Sequence, residues 1–131
     1  MESVVHFELP YDDAARIARF YETVFQWKTQ ALGPDMGHYV LATTAQKDAI
    51  PDAPRGAING GFFARSPEMP GQHPSVVVGV RDIAASMAAV NRAGGEVLGT
   101  PMDIPGVGRY VAFRDTEGNR LSMLQPLMAG A

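Results

Sequence analysis

The pattern of polar and apolar residues near the end of the chain predicts two strands joined by a tight turn. Residues 109–113 combine β-branched, aromatic and small side chains, which is typical of a half-buried strand. Residues 115–118 (Asp-Thr-Glu-Gly) form a turn sequence whose final glycine accepts a positive φ without steric cost. Residues 119–125 then alternate polar and apolar side chains again, except at the end. We therefore expect a pair of strands within residues 106–126.

An earlier stretch of the chain repeats this pattern in weaker form. Residues 37–40 (Gly-His-Tyr-Val) match residues 108–111 (Gly-Arg-Tyr-Val), which lie 71 positions further on. Two predicted helices agree with this spacing, because Asp12 or Asp13 precedes one apolar face of helical period and Asp82 precedes another. Asp13 and Asp82 are 69 positions apart. These two similar offsets predict an internal repeat.

The whole chain follows one order of elements twice: a strand, a helix and three strands. The first copy is expected over about residues 1–65 and the second over about 74–126, with a linker rich in proline at 66–73. In the first copy we expect a helix that ends near residue 25, a loop at 47–56, and strands at 4–10, 27–32, 38–43 and 57–64. In the second copy we expect strands at 75–80, 96–100, 109–113 and 119–125, with a helix between Asp82 and Gly94.

Composition narrows the class of protein. The 131 residues suffice for one domain, and the net charge of −3 gives no electrostatic reason to expect nucleic-acid binding. The absence of cysteine excludes disulfides and thiolate metal sites and fits a reducing compartment. No apolar run approaches the length of a membrane span, and the N-terminus resembles no signal peptide. We therefore expect a cytoplasmic protein without a membrane or nucleic-acid partner.

Two long segments carry a family resemblance that covers essentially the whole chain. They are VVHFELPYDDAARIARFYETVFQW at residues 4–27 and GRYVAFRDTEGNRLSMLQP at residues 108–126. With the tandem repeat, they resemble the glyoxalase I / bleomycin-resistance / extradiol-dioxygenase superfamily, also called vicinal oxygen chelate proteins. The resemblance implies a single α+β domain. Its two tandem βαβββ modules form a curved, barrel-like mixed sheet around a cavity, often within a homodimer.

The resemblance also implies where a metal would bind. Enzymes of this family hold a divalent ion with four ligands, typically two His and two Glu, from the first and last strand of each module. The matching positions here are His6, Gly60, Ser75 and Ser122, with Asn59 in place of Gly60 if the register slips by one. Serine hydroxyls are poor ligands for Zn, Ni or Fe, and glycine offers none. The residues therefore argue against a tight metal site.

Two further side chains keep a metal site open as an alternative. Glu8 lies two residues after His6, on the same face of the first predicted strand, and is a second possible donor. His73 precedes Ser75 by two residues, so a rearranged His6/Glu8/His73 site is conceivable. The simpler interpretation is that His6 is a hydrogen-bonded cavity residue and that Glu8 is an ordinary, partly exposed or paired carboxylate.

These observations lead to three hypotheses of function. The first is binding of a small organic ligand through His6, Glu8, Asn59, Gly60, Ser75 and Ser122, without a cofactor or tight metal. The second is a lyase, isomerase or dioxygenase that uses a divalent metal (Zn, Ni, Fe or Mn), with His6 and Glu8 as weak candidate ligands. The third is a protein that acts through oligomer or protein contacts. We expect a homodimer, and whether the protein is an enzyme stays open at this point.

Two local features of the sequence, Gln26 and the pair Gly60-Gly61, predict unusual backbone or packing. The family usually has glycine after the first helix, where this chain has Gln26. A left-handed backbone at Gln26 would carry strain of roughly 1 kcal/mol. The pair Gly60-Gly61 inside a predicted strand indicates either a bulge or the close approach of a ligand.

Overall fold

The structure is a computed structural model that describes residues 2–45, 57–68 and 72–127. It confirms an α+β fold of two tandem βαβββ modules. The loop expected at 47–56 lies outside the described residues, as does part of the expected linker. No helix in the described part of the chain is long and apolar enough to cross a membrane.

The described residues of the first module form an α-helix and a mixed four-stranded sheet. Its elements are β1 (Val4–Tyr11), α1 (Ala14–Phe25), β2 (Lys28–Ala31), β3 (Val40–Thr43) and β4 (Asn59–Ala64). The strand order is β2-β3-β4-β1, with β1 and β4 parallel and the other pairs antiparallel. A short 3₁₀ helix, Pro34–Met36, precedes β3.

The core of the first module lies between its sheet and α1. Phe62 is 0% exposed at its centre, and Val40 and Ala42 of the neighbouring strand are also buried. Ile17 and Tyr21 of α1 pack against this cluster. Three other apolar residues of α1 are exposed: Phe20, Val24 and Phe25.

The second module repeats this arrangement. Its elements are β5 (Ser75–Gly79), α2 (Ile83–Arg92), β6 (Glu96–Ile104), β7 (Gly108–Arg114) and β8 (Arg120–Pro126). The strand order is β5-β8-β7-β6, again with one parallel pair, β5 and β8. Its core contains Val80, Ile83, Val111 and Met123. The strand β6 is longer than expected, because it continues past a register irregularity between Leu98 and Met102.

Backbone contacts divide the chain into two compact units that differ slightly from the expected boundaries. One unit is His6–Pro74, and the other combines Met1–Val5 with Ser75–Ala131. Two hydrogen bonds explain the assignment of the first residues. The Gly79 N–H donates to the Ser3 carbonyl at 2.9 Å, and the Arg81 N–H donates to the Glu2 carboxylate at 2.9 Å.

The internal registers of the two sheets define which residues are equivalent in the repeat. Asp13 and Asp82 are both N-caps, and each carboxylate accepts a hydrogen bond from the backbone N–H three residues on. In the first sheet Leu41 lies opposite Gly61, and in the second Ala112 lies opposite Ser122. Since Leu41 and Ala112 are 71 positions apart, Ser122 is equivalent to Gly61. The expected equivalence of Ser122 with Gly60 is therefore one residue out.

Among the described residues, two that are not glycine adopt a left-handed backbone. Gln26 ends α1 with φ 58° and ψ 31°, so the departure noted in the sequence does place a long side chain in a left-handed position. His38 also has φ 58°, which explains why β3 begins at Val40 and not at His38 as expected. Tyr11 secures this turn, because its hydroxyl donates to the His38 carbonyl at 2.7 Å.

Candidate functional site

Strand β1 carries two polar side chains on one face of the first sheet. His6, Glu8 and Pro10 alternate with Phe7, Leu9 and Tyr11, and the second set packs into or against the core. His6 and Glu8 are therefore held on the opposite face, where both are half-buried. This agrees with the polar face expected from the sequence.

Tyr39 joins these two side chains in a hydrogen-bonded chain. Its hydroxyl lies 3.0 Å from His6 Nε2 and donates to Glu8 Oε2 at 2.9 Å. The His6 and Tyr39 rings are also nearly parallel, with an interplanar angle of 20° and centroids 6.4 Å apart. One tyrosine from the turn before β3 thus fixes the imidazole and the carboxylate of β1 relative to each other.

The missing side chain of Gly61 lets Tyr39 reach β1. Strand β4 lies between β3 and β1, and a Cβ atom placed on Gly61 would come within 2.0 Å of the Tyr39 ring. A Cβ on Gly60 would instead meet the Phe7 ring at 2.4 Å. The strand register is continuous over both glycines, so of the two expected alternatives the bulge is absent there, and aromatic rings lie close to both glycines.

Burial sets the protonation of the imidazole. Desolvation lowers the pKa of His6 from its ordinary value of 6.5, because the charged ring loses hydration. The charge of Glu8 acts in the opposite direction and raises this pKa, but its effect is the smaller of the two. His6 is therefore neutral at neutral pH, with one ring nitrogen protonated and one available as an acceptor.

In the second module, the side chains equivalent to those of the candidate site make different contacts. Ser122 is 4% exposed, and its hydroxyl lies 2.6 Å from the Tyr110 hydroxyl. Ser75, the equivalent of His6, donates from Oγ to the Arg120 carbonyl at 3.0 Å. Because Ser122 stands where the first module has Gly61, the hydroxyl of Tyr110 meets a partner on the adjacent strand β8.

The structure gives Asn59 and Gly60 roles other than those expected. The side-chain carbonyl of Asn59 accepts from the Thr44 N–H and the Ala45 N–H, both at 2.9 Å, so it holds the segment that follows β3. Gly60 faces Phe7 and the core, on the side of the sheet away from His6 and Glu8. Neither residue belongs to the hydrogen-bonded chain.

A rearranged metal site is not assembled by the part of the chain that the structure describes. His73 is exposed in the segment before β5. No group of three or more His, Asp or Glu side chains among the described residues is arranged to hold a metal ion. The conceivable His6/Glu8/His73 site is therefore not formed, and His6 and Glu8 stand as two donors.

A surface depression of the first module lies elsewhere. Its volume is about 390 Å³, and it lies beside the ion pair between Asp12 and Arg65 (2.7 Å). Its lining contains no residue that the sequence predicted for the site, and none of the His6–Tyr39–Glu8 chain. We therefore place the candidate site on the polar face of β1.

Sequence reasoning found His6 and Glu8 but gave Tyr39 no chemical role. Tyr39 lies 31 positions from Glu8, and an aromatic residue next to a strand is more often part of the core. Two features of the sequence could have indicated a role for Tyr39: its match with Tyr110 in the internal repeat, and the presence of Gly61. Gly61 lies on β4, between β3 and β1, and its missing side chain leaves room for the Tyr39 ring to reach β1.

The comparisons with known proteins place the chain in a family. The model of the Glyoxalase/Bleomycin resistance protein/Dioxygenase superfamily matches residues 3–123. The chain therefore belongs to this superfamily, in agreement with the resemblance seen in the sequence.

Individual relatives agree with this assignment. A glyoxylase-like domain-containing protein of Didymella fabae is 32% identical over 115 residues, which cover 86% of this chain and 84% of the relative. The anthracycline biosynthesis protein DauV of Streptomyces sp. (strain C5) is 33% identical over 120 residues, but this chain covers only 42% of its length. Methylmalonyl-CoA epimerase from Mycobacterium tuberculosis has the same fold, with a TM-score of 0.69 at 14% identity; the match covers 96% of this chain and 89% of that chain.

Proposed function

We propose that this protein binds a small organic molecule on the polar face of its first module. His6 and Glu8 are the ligand-binding groups, and Tyr39 holds them in place. The observation that supports this proposal is the continuous hydrogen-bonded chain from His6 through Tyr39 to Glu8 on a half-buried strand face. By register, Leu41 shares this face and supplies apolar surface. A few oriented polar groups beside apolar side chains are typical of a ligand site.

The proposed binding does not use a tightly held divalent metal. His6 and Glu8 supply two donors, whereas zinc sites have three or four protein ligands. Serine occupies two of the four positions at which the family's enzymes carry ligands, and glycine occupies a third. Ligand contacts by Ser75, Ser122, Asn59 and Gly60 stay predictions.

A thermal-shift screen of small organic compounds tests the proposal. We expect at least one compound that raises the melting temperature of the wild-type protein, with the shift lost in His6→Ala and reduced in Tyr39→Phe. Tyr110→Phe is the matched control, because it removes the equivalent hydroxyl of the second module. A compound whose effect is the same in all four proteins would bind elsewhere and contradict the proposed site.

Metal removal tests the second part of the proposal. We expect that treatment with a chelator changes neither the melting temperature nor the binding of a compound found in the screen. Metal analysis of protein prepared without chelator gives an independent measurement. Near-stoichiometric Zn, Ni, Fe or Mn, together with a lower melting temperature after chelation, would favour a metal-dependent lyase, isomerase or dioxygenase.

We also propose that the protein is a homodimer in the cytoplasm. Apolar side chains on the outer face of α1 support the dimer: Phe20 is 55% exposed, and Val24 and Phe25 are exposed to a similar degree. An apolar patch of this kind is a common site of protein contact. The cytoplasmic location rests on the absence of cysteine from the sequence.

A further inference from the structure

The protons of the His6–Tyr39–Glu8 chain can be assigned in order. A tyrosine hydroxyl has one proton, and Tyr39 donates it to the Glu8 carboxylate. The contact of 3.0 Å between His6 Nε2 and the same hydroxyl then requires the imidazole to be the donor. A neutral imidazole that carries its proton on Nε2 has an unprotonated Nδ1 with a lone pair.

The Nδ1 atom of His6 has no hydrogen-bond partner among the described residues, 2–45, 57–68 and 72–127. No buried side-chain nitrogen or oxygen of the described residues lacks a hydrogen-bond partner. The unpaired Nδ1 is therefore not fully buried. The lowered pKa of His6 keeps the ring neutral, and thus keeps this lone pair available, at neutral pH.

From this order of protons we infer that Tyr39 fixes the Nε2–H tautomer of His6, so that Nδ1 accepts a hydrogen bond from an O–H or N–H group of the ligand. The inference rests on the proposed function and names the class of ligand. A phenol, enol or alcohol offers the required donor, whereas an ether or ester oxygen in the same place does not. Tyr39 is a positioning residue, since it acts through His6 and Glu8.

Nitrogen NMR of protein with ¹⁵N-labelled histidine tests the tautomer directly. The chain has three histidines, and the signals that disappear in His6→Gln belong to His6. In the wild-type protein at about pH 7.5, we expect a protonated Nε2 and an unprotonated Nδ1. In Tyr39→Phe we expect a mixture of both tautomers, because the acceptor is gone. In Tyr110→Phe we expect the wild-type signals.

The inference is overturned if wild-type His6 carries its proton on Nδ1. It is also overturned if Tyr39→Phe leaves the wild-type tautomer unchanged. This readout reports ring protonation, which a purely structural role of Tyr39 in the stability of the sheet would not alter. It needs no ligand, so it stands apart from the test of the proposed function.

A pair of simple probes tests the class of ligand. Phenol and anisole share one ring and differ by a methyl group on oxygen, so only phenol donates a hydrogen bond. At millimolar concentration we expect phenol to shift the Nδ1 signal of His6 and to bind about three- to tenfold more tightly than anisole, as one hydrogen bond implies. Equal effects of the two probes, or no effect of phenol, would overturn the preference for a donor.

Failure of this inference and failure of the proposed function give different results. If His6 carries its proton on Nδ1 but a screened compound gives a thermal shift that depends on His6, the inference is wrong and the proposed site is supported. If His6 carries its proton on Nε2 but no compound gives a thermal shift that depends on His6, the proposed ligand site is wrong and the role assigned to Tyr39 is supported.

Discussion

At the scale of single residues, one glycine decides where a tyrosine hydroxyl goes. Tyr39 and Tyr110 occupy equivalent places in the two modules, next to Gly61 and Ser122 respectively. Over Gly61 the ring of Tyr39 crosses to His6 and Glu8, whereas Tyr110 bonds to the serine on the adjacent strand. The tyrosine hydroxyls of the two modules therefore have different partners.

Substituting each of the two glycines of β4 distinguishes an effect on the candidate site from an effect on the core. Gly61→Ala places a Cβ atom 2.0 Å from the Tyr39 ring, so we expect loss of the hydrogen bond to His6 and destabilisation by about 1–3 kcal/mol. Gly60→Ala meets the Phe7 ring at 2.4 Å and is expected to destabilise by a similar amount. Urea unfolding measures both effects, and histidine NMR should report a change at His6 for Gly61→Ala alone. An unchanged His6 signal in Gly61→Ala would contradict the packing of Tyr39.

The buried imidazole also predicts how stability depends on pH. Because burial lowers the pKa of His6 below its unfolded value of 6.5, the unfolded chain binds the proton more readily. The contribution of His6 to the free energy of unfolding is therefore fully present above pH 6.5 and is lost as the pH falls through the lower, folded pKa. Glu8 opposes this effect, and Tyr39 also contacts the ring.

Urea unfolding of wild-type protein and His6→Asn over a range from about pH 8 to about pH 5 measures this contribution. We expect the wild-type protein to lose more stability than the variant as the pH falls. Asn keeps a polar side chain at the position but does not titrate. Parallel pH profiles of the two proteins would show that His6 has the same pKa in both states.

At the scale of elements, the two helices end in different ways. The helix α1 ends at Gln26 with a left-handed backbone, and its side-chain amide donates to exposed carbonyls of the last turn. The helix α2 ends at Ala93 with φ −85°, and the left-handed position falls on Gly94, the residue before which the sequence predicted this helix to end. Of the two helix ends, that of α1 therefore carries the left-handed strain.

The end of α1 offers a stabilising substitution. Gln26→Gly removes left-handed strain of about 1–2 kcal/mol and adds unfolded-state entropy worth about 0.5–1 kcal/mol. We expect a net gain of about 0.5–1 kcal/mol in the free energy of unfolding by urea. Ala93→Gly is the matched control at the end of α2 and should be neutral or destabilising, because no strain is relieved there. Destabilisation by Gln26→Gly would mean that the side-chain hydrogen bonds outweigh the strain.

At the scale of the whole molecule, the apolar residues left exposed on α1 predict self-association. We expect light scattering at micromolar concentration to give about twice the chain mass of 14.0 kDa. Phe20→Glu places a charge on the most exposed of the three aromatic and aliphatic residues of α1 and should shift the mass towards that of the monomer. A wild-type monomer at this concentration would refute the homodimer.

The sequence by itself determined the order of elements, the two helix caps, the repeat and the family. These features depend on neighbouring residues: alternation in strands, a period of 3.6 in helices, and Asp, Gly or Pro at their ends. It also placed His6 and Glu8 on one face of β1, because strand parity is local information.

Only the tertiary structure decided which residues meet across the strands. The partner of His6 and Glu8 is Tyr39, more than thirty positions away, and its reach depends on Gly61 and on the strand order β3-β4-β1. The register that makes Gly61, and not Gly60, equivalent to Ser122 is set by hydrogen bonds between strands. A shift of one residue moves a side chain to the other face of a sheet, and the residues of one strand alone do not specify the register of its neighbour.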